Sequence, residues 1–204
     1  MIIATVALVA MVVLHFDGSH AGWAQALRVS VFEVISVITS TGFGISDFSL
    51  WPTALPVMLI FISFVGGCSG STAGGMKVLR VLLMAKQGTR EIALLSHPQA
   101  SIPVMYNGRP MDERTIASVW GFFSVYVATF VLLMLAMMFA GLDQVSAFGA
   151  VATSLNNLGP GLGQVATTFH DVGDPVKLIA VAGMLLGRLE IFSLLVLFSP
   201  AFRR

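Results

Sequence analysis

One pattern occurs twice in this chain of 204 residues. A short, moderately apolar run ends in a glycine-containing turn, and a long apolar run follows. The first copy reads Val31-Phe-Glu-Val-Ile-Ser-Val-Ile-Thr39-Ser40-Thr41-Gly42-Phe43-Gly44. The second reads Ser146-Ala-Phe-Gly-Ala-Val-Ala-Thr-Ser-Leu-Asn156-Asn157-Leu158-Gly159-Pro160-Gly161. Gly42 and Gly159 lie 117 residues apart. Each short run falls below the ~20 apolar residues needed to cross a bilayer, and each sits between two segments that could cross. A half-inserted helix followed by glycine-bearing backbone is a way to offer carbonyl oxygens to a dehydrated ion. The pattern therefore points to ion permeation.

Composition agrees. Hydrophobic residues make up 56% of the chain and charged residues 10%, where a soluble domain carries about a quarter charged residues. Mean hydropathy is +0.90. These values imply an integral membrane protein, with the lipid bilayer as its first partner. A net charge of +1 offers no clustered basic surface for nucleic acid. A single cysteine, Cys68, excludes an internal disulfide and any Cys-rich metal site. His15, His20, His97 and His170 are scattered without metal-ligand spacing, and the methionines read as packing residues. No nucleophile–base set or carboxylate pair is suggested, so neither catalysis nor a cofactor is expected.

Hydropathy divides the chain into six apolar stretches: 1–15, 26–38, 53–85, 115–141, 144–157 and 175–199. The second and fifth are the short re-entrant helices, and the others are spans. Met1 to Leu14 lack the basic start and cleavage site of a signal peptide and read as the end of a membrane helix whose beginning is missing. The expected fold is an all-α polytopic membrane protein with two span–pore-helix–filter–span repeats. Residues 1–85 form the first repeat, 86–114 a loop-like polar linker with Pro and Asn-Gly punctuation, and 115–204 the second repeat. Basic residues Lys77, Arg80, Lys86, Arg90, Arg109, Arg114, Arg203 and Arg204 flank one face, against Arg28 and Lys177 on the other. The positive-inside rule then puts the linker and the C-terminus in the cytoplasm, with the glycine turns opening outward.

Three groups of residues carry the chemistry. Thr39, Ser40, Thr41 and Gly42, and their counterparts Asn156, Asn157, Leu158 and Gly159, are placed to give carbonyl and hydroxyl ligands to a cation. The C-terminal dipole ends of the pore helices point the same way. The alternative is a pair of ordinary external turns. A glycine-rich break, Gly66-Gly-Cys-Ser-Gly-Ser-Thr-Ala-Gly-Gly75, interrupts the third stretch. Irregular backbone at membrane depth is tolerated only where protein buries it or a cavity receives it, so the break reads as a constriction below the filter or as close helix packing. Arg188 falls within the last span, where a charge is by default functional; it is expected to pair with carbonyls of residues 66–75, the alternatives being neutralisation by Glu190 or snorkelling towards the cytoplasm. Glu33 either anchors the first pore helix to the filter or lies near the interface.

These residues resemble the membrane subunits of the Trk/Ktr/HKT superfamily of potassium transporters, most closely the bacterial TrkH type. The likeness rests on Thr39 to Gly44, Gly66 to Lys77, Asn157 to Gly161 and Gly187-Arg-Leu-Glu-Ile191. It implies an architecture of four pore repeats, of which this chain looks like the third and fourth. By resemblance, Thr39, Ser40, Thr41, Gly42 and Phe43 with Asn156, Asn157, Leu158, Gly159 and Pro160 are two quarters of a potassium filter. Gly66, Gly67, Ser69, Gly70, Ser71, Thr72, Gly74 and Gly75 belong to an intramembrane gate, with Arg188 projecting towards it. Potassium is then the substrate, and the setting a bacterial cytoplasmic (inner) membrane. The implied partners are a second membrane subunit, as a homodimer, and cytoplasmic nucleotide-binding regulatory subunits of the TrkA/KtrA type near 86–114 and the C-terminus. Transport is passive or a symport. Two rivals stand beside a half-pore: a self-sufficient dimeric two-repeat channel, and a non-conducting scaffold.

Overall fold

The computed structural model describes residues 2–18, 22–68, 70–71, 73–100 and 102–191. Seven helices and one two-stranded hairpin are found among them: α1 (Ile2–Phe16), α2 (Trp23–Ile38), α3 (Leu55–Val65), α4 (Val78–Ser96), β1 (Met105–Tyr106), β2 (Arg109–Pro110), α5 (Glu113–Phe139), α6 (Gln144–Asn156) and α7 (Asp174–Arg188). Local chemistry sets several of the starts. Asp143 accepts from Val145 N and Ser146 N at the head of α6, a side-chain N-cap that satisfies otherwise orphaned amides. Pro56 and Pro175 sit in the first turns of α3 and α7, where a missing N–H costs nothing.

The two repeats superimpose in kind. α1, α2 and α3 pack in sequence, as do α5, α6 and α7, and α3 against α6 joins the halves. The short helices are the enclosed ones. Ten of the thirteen residues of α6 are buried, against five of twenty-seven in α5. Only α5 is long and apolar enough by itself to cross a membrane among the described residues, with α1 and α3 as shorter apolar helices. A pore helix too short to span must therefore be surrounded by protein, and α6 is.

The break in the third stretch closes on itself. α3 stops at Gly66, at φ 66°, and Met76 N returns to Phe64 O at 2.8 Å while Val78 N reaches Gly67 O at 3.2 Å. The excursion thus leaves and re-enters at nearly one level, and α4 continues the path.

Two expectations need correction. The linker was expected to begin as a loop at residue 86, but α4 continues to Ser96. Its charges lie on a helix whose other face buries Leu83 against Val104, Ile116 and Val119. Lys86 Nζ donates to Met105 O at 2.6 Å, and Arg90 pairs with Glu113 at 2.8 Å. The last stretch, 175–199, was expected to be one full span; the described helix instead ends at Arg188. Leu189 N bonds Leu185 O and Ile191 N bonds Leu186 O, a closing turn that carries Glu190 and Ile191 into left-handed conformation. Residues 192–204 lie outside the described residues.

The hairpin turns at Asn107 (φ 48°) and Gly108 (φ 77°), the two positive-φ positions of a tight two-residue connection. Gly108→Ala would place a Cβ in the left-handed region at about 1–2 kcal/mol. Limited proteolysis should then cut the 102–111 segment faster, with the membrane helices unaffected.

Candidate ion-conduction site

Both pore helices end in the same backbone device. Ser40 N bonds Val37 O at 3.1 Å and Thr41 N bonds Ser36 O at 2.9 Å. One repeat later, Asn157 N bonds Ser154 O at 3.2 Å and Leu158 N bonds Thr153 O at 2.9 Å. These paired bonds form a Schellman cap, whose hinge residue must be left-handed. Ser40 has φ 52° and Asn157 φ 51°. Two residues on, Gly42 (φ 78°) and Gly159 (φ 104°) are left-handed again. The helix stop is therefore Ser40 and Asn157, not the glycine, and each glycine provides a second, separate reversal of backbone hand.

The side chains of the two segments are used differently. Thr39 Oγ1 donates to Ile35 O at 2.6 Å and lies 2.7 Å from Thr41 Oγ1, with both threonines exposed. Phe43 is exposed, and its carbonyl accepts from Ser36 Oγ at 2.5 Å. In the second segment the amides face into protein. Asn156 is fully buried; its Oδ1 accepts from Tyr126 OH at 2.6 Å and its Nδ2 donates to Ser63 Oγ at 2.7 Å. Asn157 Nδ2 donates to Met184 O at 3.3 Å. Asn156 and Asn157 thus bind the segment to α3, α5 and α7, which leaves the backbone as their contribution to any ion site.

Three glycines press on that second segment. A Cβ at Gly42 would collide with Leu158 O, one at Gly74 with Asn156 O, and one at Gly187 with Leu155 O. The first glycine turn, the 66–75 loop and α7 each reach the end of α6 or the turn after it through a residue without a side chain. Beyond each glycine turn, a side chain of the preceding short helix holds the outgoing backbone. Glu33, 2% exposed, accepts Ile45 N at 2.7 Å and Ser46 N at 3.0 Å through Oε1. Ser146 Oγ accepts Gln164 N at 2.9 Å.

Gly66, Gly67, Gly70, Ser71, Gly74 and Gly75 occupy the loop; Ser69 and Thr72 lie outside the described residues. A cavity of about 250 Å³ joins the loop to the base of the first filter, with Thr39, Ile38, Gly66, Cys68 and Ser71 on its wall. Lys77 Nζ donates to Ser71 O at 3.0 Å. Arg188 is the last residue of α7 and its side chain is exposed in this chain.

A family model described as a TrkH cation transport protein matches residues 3–203. The chain belongs to the TrkH family. It is 47% identical over 197 residues to the Trk system potassium uptake protein TrkH of Vibrio parahaemolyticus, covering 97% of this chain and 41% of that protein. It is 51% identical over 180 residues to the TrkH of Halomonas elongata, covering 88% and 37%. The crystal structure of the potassium transporter TrkH from Vibrio parahaemolyticus superimposes with a TM-score of 0.92 at 46% identity, covering 99% of this chain and 43% of that one. The chain thus spans about two fifths of the length of these relatives. The all-α membrane transporter fold and the family expected from the motifs are both borne out.

Sequence reasoning raised Glu33 without deciding its role, and it missed the Tyr126–Asn156–Ser63 chain and the partners of Glu190. A tyrosine within an apolar span and an asparagine at the end of an apolar helix were the available signals, since intramembrane polar groups seek partners. Tyr126→Phe leaves Asn156 Oδ1 buried without its donor, at a cost of about 1–3 kcal/mol. Reversible unfolding in mixed detergent micelles should register that loss.

Proposed function

We propose that this chain supplies two quarters of a potassium selectivity filter, and the gate below it, to a potassium uptake subunit of a bacterial cytoplasmic membrane. The observation that carries the reading is the repeated filter geometry: identical caps 117 residues apart, left-handed backbone at 40 and 42 and again at 157 and 159, and the two segments in contact at Gly42 and Leu158. A potassium ion entering the filter exchanges its water for the carbonyls of Thr39, Ser40, Thr41, Gly42 and Phe43 and of Asn156, Asn157, Leu158, Gly159 and Pro160. Neutral carbonyls replace hydration without the full charges that would trap the ion. The negative ends of the α2 and α6 dipoles favour a cation at the same place.

Gly66, Gly67, Ser69, Gly70, Ser71, Thr72, Gly74 and Gly75 form the gate, with Arg188 facing them from α7. The filter opens to the outside. The α4 extension, the hairpin and the C-terminus face the cytoplasm, where a nucleotide-binding regulator of the TrkA/KtrA type docks. Two membrane subunits pair as a homodimer. Two further repeats complete each filter, consistent with the share of the relatives that the chain spans.

The test is potassium uptake in cells lacking their own uptake systems. The chain is compared alone and behind two upstream repeats of a related subunit. Rescue by the fusion alone is expected; rescue by the short chain would mean that two copies build a whole pore. Within the fusion, Gly42→Ala should lower uptake about tenfold or more, because left-handed φ alone costs an alanine about 1–2 kcal/mol and its Cβ meets Leu158 O. Gly88→Ala, whose Cβ would meet nothing within 4 Å, should leave uptake unchanged. Equal membrane insertion of both variants completes the comparison, and full uptake by Gly42→Ala would remove the filter assignment.

A further inference from the structure

Three charged side chains meet where α4 begins and α7 ends. Glu190 Oε1 accepts from Lys77 Nζ at 2.6 Å, and Oε2 accepts from Arg80 Nη2 at 2.7 Å. The same Lys77 ammonium donates to Ser71 O, in the intramembrane loop, at 3.0 Å. One cation therefore bridges the backbone of the loop and a carboxylate from the far end of the second repeat. Arg80 is fixed on its other side, with its guanidinium 4.1 Å from the centre of the Phe122 ring on α5.

The backbone is bent to make this junction. Lys77 has φ 69°, Glu190 φ 53° and Ile191 φ 36°, and Ile191 is buried. A β-branched residue in left-handed conformation is an outlier that persists only where its surroundings impose it. Without the turn after Arg188, a continuing helix would carry Glu190 onward instead of back to Lys77.

We propose that Glu190 is a positioning residue for the intramembrane loop, acting through Lys77 to hold Ser71 and the adjoining glycine backbone against the base of the filter. The proposal rests on the reading of residues 66–75 as the gate. Its physical content is charge balance. Removing the carboxylate leaves the part-buried Lys77 and Arg80 as neighbouring like charges with no anion between them. Lys77 then leaves Ser71 O, and a backbone carbonyl at membrane depth loses its donor. The loop is freed to move away from the Asn156 carbonyl that Gly74 touches.

Cys68, exposed and in this loop, reports that movement. The experiment uses the whole membrane subunit, without its regulator, in sealed vesicles with the cytoplasmic face outward. The rate of Cys68 labelling by a membrane-impermeant maleimide is read by mass spectrometry of its peptide, alongside potassium flux. Glu190→Gln and Lys77→Gln should each raise labelling about tenfold, a size typical of coupling between linked sites, and each should raise flux. The double variant should go no further than either single one, and Glu190→Asp should stay near the parent. Should E190Q fail to reach the membrane, K77Q carries the same test through the atom that touches the loop. Unchanged labelling in the inserted variants, or additive effects in the double variant, would overturn the proposal. Faster labelling with unchanged flux would leave Glu190 as the holder of the loop and remove the gate reading instead.

Discussion

Backbone-to-backbone contact at the C-terminal end of α6 and the turn after it is the constraint on which the arrangement depends. The carbonyls of Leu155, Asn156 and Leu158 are approached by Gly187, Gly74 and Gly42. These glycines belong to α7, the 66–75 loop and the first glycine turn. Any side chain at those three positions would push its element away from that backbone. The first glycine turn, the 66–75 loop and α7 are thereby joined to the end of α6 with no intervening atoms that a rotamer change could absorb.

Polar groups near this contact need partners from the protein, because a bilayer offers none, although Ser40 Oγ, Thr153 Oγ1 and Ser154 Oγ are buried without one. The chain meets the demand in part, with a few side chains taken from the pore helices and spans. Ser36 bonds the carbonyl of Phe43, Glu33 takes two amides beyond the first filter, and Ser146 takes one beyond the second. Asn156 links Tyr126 to Ser63 across three helices. The re-entrant loop closes through Met76 N on Phe64 O. These bonds answer part of the irregular backbone from within the protein.

Hydropathy located α1, α2, α3, α5 and α6 to within a few residues, since the apolar runs that cross or half-cross a membrane are long and bounded by glycine, proline and charge. It failed at α4, where Lys86, Arg90 and Glu91 resemble a linker. There the helix is amphipathic, and its buried face becomes visible only once Leu83 meets Ile116 and Val119. It failed again after Arg188, where the helix turns off. The two turn glycines, Gly42 and Gly159, were legible from the repeat, and both hold left-handed backbone. The helix stops were not, because Ser40 is a residue that rarely adopts the left-handed conformation it holds here.

The sequence by itself determined the class of molecule, the twofold repeat and the glycine positions where the backbone reverses hand after each short helix. These follow from composition and from glycine, which act locally. Tertiary structure alone decided which carbonyl each glycine would touch, that Asn156 and Asn157 would be spent on packing, and that Glu190 would meet Lys77 and Arg80. Lys77 and Glu190 lie 113 residues apart in the chain. Charge and hydrogen-bond partners at that separation are set by how helices pack, and no local preference of either residue encodes the meeting.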